Sequence, residues 1–190
     1  MAAAAQSPGR VIPDALRSLT HGYGGCSGDA PIARVEIEFW PNVQFFRTEC
    51  VLEHGDSMSA IVGIDSDSVL YLLASDDAFK FLMDRHPPAP IDSGRFLQFT
   101  KMALELTGRI TGQARLLQAW SDLPDSVLSR LDPQGPALWY SRQGKGWVGT
   151  LYSASPGYYG AFVTRHEIVL LPGGRFVSSD SLVYRPSGHP

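Results

Sequence analysis

The feature that most constrains this chain is how the spacing of its apolar residues changes along it. The spacing runs with period two, shifts to helical spacing, and returns to period two. Val35, Ile37 and Phe39 alternate with Arg34, Glu36 and Glu38, the pattern of a strand with one face buried. Pro41-Asn42 interrupts it, and a second strand is expected over 44–53. His54-Gly55-Asp56-Ser57 then turns the chain into a third strand over 58–64, and Asp65-Ser66-Asp67-Ser68 turns it again. The run Val69 to Leu73 is apolar on both faces, which predicts a position at the centre of a sheet. Turn signals at such regular intervals argue for an antiparallel meander.

In the middle of the chain the spacing becomes helical. Ser75 is placed to cap a helix, with Asp76 and Asp77 complementing its dipole and Ala78, Phe79, Leu82 and Met83 on one face. Pro87-Pro88-Ala89-Pro90 stops that helix, and Ser93 is expected to cap the next, which runs through Phe96, Phe99, Ala103, Leu104 and Leu106 to Gly108. Gln113–Trp120 and Pro124–Leu131 read as shorter helices. Strands return at Ala137–Ser141, Gly146–Ser153, Ala161–Leu171 and Arg175–Tyr184, the last two joined by a Pro172-Gly173-Gly174 turn. The expected fold class is therefore α+β. Antiparallel strands in two groups would form a curved sheet or partly open barrel, with a helical segment inserted between them. Residues 1–31, rich in Ala, Gly, Pro and Ser, read as a flexible N-terminal segment, and 32–190 as a single domain.

Composition narrows the classes of function. A chain of 190 residues buries about 70% of its unfolded surface, enough for a core without disulfides or metal. The net charge of −3 lacks the concentrated basic face a nucleic-acid binder needs. The balance is uneven, however. From residue 135 onward Arg142, Lys145, Arg165, Arg175 and Arg185 face only Glu167 and Asp180, a local excess of positive charge suited to a small anion or an acidic surface. Cys26 and Cys50 form neither a disulfide framework nor a zinc-ligand set. Met1 to Pro8 lacks the basic start and apolar stretch of a signal peptide, and no apolar run reaches membrane-spanning length. The expectation is a cytoplasmic protein that engages neither membrane nor nucleic acid and needs no cofactor. Its oligomeric state is left open.

Three short constellations could carry chemistry. Gly55-Asp56-Ser57-Met58 is similar over four residues to the signature of the GDSL hydrolases, a resemblance that implies a serine nucleophile. The Gly-x-Asn-Asp and Asp-x-x-His segments which that chemistry also requires do not occur, and the surroundings alternate as a hairpin, so the tetrapeptide reads as a turn. Asp65-x-Asp67 runs straight into a buried strand, without the further oxygens a calcium loop needs, and reads as two turn residues satisfying backbone amides. In Arg165-His166-Glu167, alternation puts His166 on the face of Phe162, Thr164, Ile168 and Leu170. Arg165 and Glu167 fall on the other face with Val163, Val169 and Leu171.

The densest chemistry-capable patch is aromatic. Trp139, Tyr140, Trp147, Tyr152, Tyr158 and Tyr159 fall within 21 residues and are interleaved with glycines. Aromatic faces with sparse polar tips line small-molecule pockets and anchor protein interfaces. The leading expectation is a non-catalytic binding domain. In it Trp139, Tyr140, Trp147 and Tyr152 supply apolar contact, and Arg142, Arg165 and His166 polar anchoring. The partner would be another protein or a small molecule, which the local charge allows to be anionic. The alternative is a small cofactor-independent enzyme of isomerase, dehydratase or cyclase type, with His166 paired to His54 or Asp56 for acid–base work in a cavity of the sheet.

Overall fold

A computed structural model describes residues 32–51, 57–67, 69–73, 75–110, 113–133, 135–156, 161–172 and 175–186. Its class is α+β, with two antiparallel sheets that do not close into a barrel. The first sheet has the order β1-β2-β3-β4, from Ile32–Val35, Val43–Val51, Ser57–Asp65 and Leu70–Leu72. Two helices follow, α1 (Asp76–Arg85) and α2 (Ser93–Leu106). The second sheet has the order β5-β7-β8-β9, from Arg115–Leu116, Gly146–Ser155, Phe162–Leu170 and Phe176–Tyr184. β6 (Leu138–Gln143) pairs alongside β7, and a 3-10 turn (Trp120–Asp122) and the single-turn helix α3 (Asp125–Leu128) connect β5 to β6.

Four local expectations are corrected. The alternation at 34–39 yields a strand only to Val35, because Glu38-Phe39 and Pro41-Asn42 form turns and send Phe39 and Trp40 into the core. Among the described residues the run at 69–73 forms an edge strand, β4, and not a central one; Tyr71 and Leu73 are buried, and the strand packs against α1. Asp92, not Ser93, caps α2, its Oδ1 accepting the Arg95 N–H at 2.9 Å. No helix spans 113–120: Arg115-Leu116 join β7, and the Asp122 carboxylate accepts the N–H groups of Gln118 and Ala119 at 2.7 and 3.0 Å. A side chain that captures those two amides folds the segment into a turn, the competition that makes Asp poor inside helices. Elsewhere the expected hairpins and the Ser75 cap of α1 are present.

One face of α2 is fully buried by Phe96, Phe99, Thr100, Ala103, Leu104 and Leu106, at the spacing of a single helical stripe. Phe99 meets Phe39 edge-on at 5.2 Å and Trp40 at 5.9 Å on the side of the first sheet, and Phe176 of β9 at 6.2 Å on the other. Phe96 stacks on Trp147 at 5.3 Å and lies 5.0 Å from Tyr140. The main core is thus shared by both sheets and both helices. The buried indoles keep their polar edges satisfied: Trp40 Nε1–H donates to the His86 carbonyl at 2.7 Å and Trp147 Nε1–H to that of Ile91 at 2.9 Å. A second, smaller core of Leu117, Leu123, Val127, Ala137, Tyr152, Ala154 and Val163 lies on the opposite face of the second sheet.

Asp65 joins the first sheet to α1. Its Oδ1 accepts the N–H groups of Asp67 and Val69, both at 2.9 Å, which shapes the turn into β4. Its Oδ2 accepts from Tyr71 Oη at 2.8 Å, Arg85 Nε at 2.9 Å and His86 Nε2 at 3.0 Å. Burial alone would push this carboxyl up, but the bonds from His86, Val69, Tyr71 and Arg85 outweigh it and hold it well below the usual carboxylate range. Burial, together with the bond to Asp65, pushes the Tyr71 phenol up to about 12.

If the α2 stripe couples the two sheets, Phe99→Ala should cost about 3–5 kcal/mol in urea unfolding. Phe81, on α1 and more than half exposed, should cost under about 1 kcal/mol when replaced by Ala. Equal losses for the two variants would show that the core is not organised around α2.

Candidate functional site

The second sheet divides the aromatic cluster between its two faces, because neighbouring residues of a strand point in opposite directions. Tyr140 and Trp147 face inward onto Phe96, as parts of the main core and not of an open site. Trp139, Tyr152 and Arg165 face outward. They line a groove of about 430 Å³ with Trp120, Leu131, Asp132, Pro133, Pro136, Thr150 and Val183. The register is the cause: Trp139 lies opposite Thr150, and Tyr152 opposite Arg165, so three adjacent strands present these side chains on one face. Gly149 permits it, since a Cβ there would meet the Trp139 carbonyl oxygen at 2.9 Å.

The groove combines flat apolar walls with one cation. Trp120 packs edge-on against Tyr152 at 4.7 Å, and its Nε1–H donates to the Gly135 carbonyl at 2.9 Å, which fixes that wall. Trp139 is 48% exposed. Arg165 pairs with Glu167 through Nη2 at 2.7 Å, while its Nε is buried without a hydrogen-bond partner among the described residues. That N–H is itself covered, so a bound acceptor would meet the exposed part of the Arg165 guanidinium, whose side chain is 41% exposed. Arg142 stands apart, lining a cavity of about 300 Å³ with Lys145, Trp147, Pro88, Pro90 and Pro172. A larger cleft of about 660 Å³ lies against α2, where Arg34, Arg47 and Lys101 alternate with Glu36, Glu38 and Glu105 over a floor that includes Phe39 and Trp40.

His166 sits in the middle of a polar chain that runs across β7, β8 and β9. It lies opposite Leu151 on one side and Asp180 on the other, and is fully buried. Its Nδ1 is 2.8 Å from Asp180 Oδ1 and its Nε2 2.8 Å from Ser153 Oγ. A carboxylate only accepts, so Nδ1–H donates to Asp180 and Nε2 accepts the Ser153 hydroxyl. Asp180 Oδ2 in turn accepts from Arg109 Nη1 at 2.5 Å, and Arg109 Nη2 reaches Asp76 at the start of α1 at 2.7 Å. Burial lowers the His166 pKa below its ordinary value; Asp180 opposes this by hydrogen bond and charge, and the Arg109 charge adds to the lowering. The imidazole is therefore neutral at pH 7, in the tautomer the two hydrogen bonds demand.

The order Ser–His–Asp is the one used by nucleophilic hydrolases, but Ser153 is 1% exposed and none of the described cavities borders it or His166. The sequence places His54 and Asp56 beside His166 as candidate partners; both lie outside the described residues, as do Tyr158 and Tyr159. Sequence reasoning missed Ser153, Asp180, Arg109 and Trp120. Asp180 was within reach, because the turn expected at 172–174 sets residue 180 opposite 166, as the strand register has it. Arg109 arrives from beyond α2 and has no local signal.

The fold and the groove together define an α+β domain with an aromatic, arginine-bearing depression on its second sheet. No family model, curated protein or solved structure matches the chain. Among the described residues no helix is long and apolar enough to cross a membrane, and no cluster of His, Cys, Asp or Glu could hold a metal ion.

The His166 chain makes a pH prediction. The folded-state pKa is depressed, so below about pH 6.5 the unfolded chain takes up a proton that the folded chain refuses. The stabilising contribution is complete above that pH and falls as pH drops toward the folded value, with a slope of up to about 1.4 kcal/mol per pH unit. Unfolding free energy measured from pH 7.5 to 5 should fall more steeply for the native chain than for His166→Leu, which should be less stable throughout because Asp180 and Ser153 lose their partner. Parallel pH profiles would mean that His166 does not titrate on unfolding.

Proposed function

We propose that this chain is a non-catalytic binding domain that holds a flat small molecule with a hydrogen-bond-accepting, anionic end in the outer groove of its second sheet. The observation that carries the reading is the convergence of Trp120, Trp139, Tyr152 and the part-exposed Arg165 guanidinium on one depression. Its volume falls in the range of small-molecule sites. An aromatic ring would lie against Trp139 and Tyr152, and a carboxylate or phosphate would take the Arg165 donor, which pairs with such groups in a planar fork. Binding of this kind calls on no cofactor, and the reading places the domain in the cytoplasm, in keeping with two cysteines too few for a disulfide framework.

A second reading, acid–base chemistry at His166, is favoured by the Ser153–His166–Asp180 chain. It ranks below the first because a substrate could reach the imidazole only after the sheet face opened, whereas the groove is already open.

Tryptophan fluorescence titrated with benzoate, indole-3-carboxylate and their amides tests the first reading. Saturable binding of a carboxylate is expected, weakened about ten-fold or more in both Trp139→Ala and Arg165→Ala, with the amides binding more weakly. No saturable binding, or binding that both variants leave intact, would remove the groove as the site.

A further inference from the structure

A strand at the edge of a sheet leaves a row of backbone donors and acceptors unpaired, and proteins usually blunt such edges with brevity, charge or proline. The other edges among the described residues follow that practice: β1 is four residues long and carries Arg34, β4 has three residues, β5 has two, and β6, paired only with β7, has six and carries Arg142. β9 does not. It runs nine residues, Phe-Val-Ser-Ser-Asp-Ser-Leu-Val-Tyr, pairs only with β8 among the described residues, and holds no Lys, Arg or Pro. Its single charge, Asp180, is held by Arg109 and His166.

Exposed apolar surface gathers at the same place. Of the eight large apolar residues exposed among the described ones, five lie on β8 and β9 or just beyond β8: Val169, Leu171, Val177, Leu182 and Val183. Val169 pairs with Val177 across the two strands, so on the outer face apolar surface reaches the open edge, while Leu182, opposite Thr164, is exposed on the inner face. Concentrated apolar exposure of this kind marks an interaction surface.

The spacing along β9 selects the occupant. Val177 and Val183 stand three residues on either side of Asp180, with Ser179 and Ser181 between them; pairing with β8 puts Val177, Ser179 and Ser181 on the outer face, and Val183 lines the outer groove. If β9 meets the β9 of a second copy about a two-fold axis at Asp180, the pairing is antiparallel. Val177 then lies opposite Val183, Ser178 opposite Leu182, and Ser179 opposite Ser181. The neighbouring registers would oppose valine to serine. The two Asp180 carboxylates near the axis are each already engaged by Arg109 and His166 of their own chain, which removes the repulsion that would otherwise forbid this register. From these features we infer that β9 is a homodimer interface that joins the second sheets of two copies into one continuous sheet. The register shift between Leu182 and Tyr184 leaves Val183 without a partner on β8, at the last pair of the shared ladder.

Ser179 and Ser181 are exposed and support a charge-swap test. At about 100 μM chain, sedimentation equilibrium should find the native protein dimeric. Ser179→Lys with Ser181→Lys, and Ser179→Glu with Ser181→Glu, should each raise the dissociation constant about ten-fold or more, because like charges then oppose each other across the axis. Mixing the two variants in equal amounts should restore the dimer, now with Lys opposite Glu at both positions. A native monomer at that concentration would overturn the proposal and leave the edge idle or meant for a strand of another protein. So would dimers that persist in both charged variants, or a mixture that fails to associate. Hydrogen exchange on the native chain supplies a readout free of substitutions: amides of 176–182 should exchange more slowly as concentration rises, and concentration-independent exchange would likewise refute the interface.

Discussion

The structure depends on one stripe of α2. Phe96 and Phe99, three residues apart on a helix, reach the aromatic residues that follow the first strand on one side and the faces of β6, β7 and β9 on the other. Each sheet presents an apolar inner face that it cannot cover by itself, and a helix laid between them serves both. The arrangement explains why the helices sit mid-chain. A segment that must touch both sheets is most simply placed between the segments that form them.

Two buried polar networks tie this layered core together. Asp65 binds the β3–β4 turn to the C-terminal end of α1 through Arg85 and His86. The Ser153–His166–Asp180 chain, extended by Arg109 to Asp76, ties three strands of the second sheet to the N-terminal end of the same helix. α1 is therefore held at both ends by charge-assisted hydrogen bonds, one set reaching each sheet. Buried polar groups are costly when unpaired, so these networks favour one relative placement of helix and sheets over others that would bury as much apolar surface.

The outer face of the second sheet has a different character. The small second core covers only part of it, and leaves the Trp139–Arg165 groove and the apolar border of β9 open. Val183 belongs to both, lining the groove and lying on the edge strand. The proposed ligand site and the proposed dimer interface are thus neighbours on one surface, while the polar chain through His166 lies on the inner side of the same strands.

Much of this organisation is legible in the residues themselves. Period-two and helical spacing define the α+β class, the hairpins and the caps, because a strand or helix with one buried face must repeat its apolar residues at the period of its own geometry. Alternation also already separates Trp139 from Tyr140 and places Arg165 opposite in sense to His166. Read strictly, it divides the aromatic cluster into a core half and a surface half. Tertiary structure decided what covers each face. It made Val69–Leu73 an edge strand packed against a helix, turned Gln113–Trp120 into a strand and a 3-10 turn, and brought Trp120 to the groove and Arg109 to Asp180. These outcomes depend on partners far away along the chain. A residue's own neighbours set its local conformation and the face it occupies, but not which distant element comes to lie against that face.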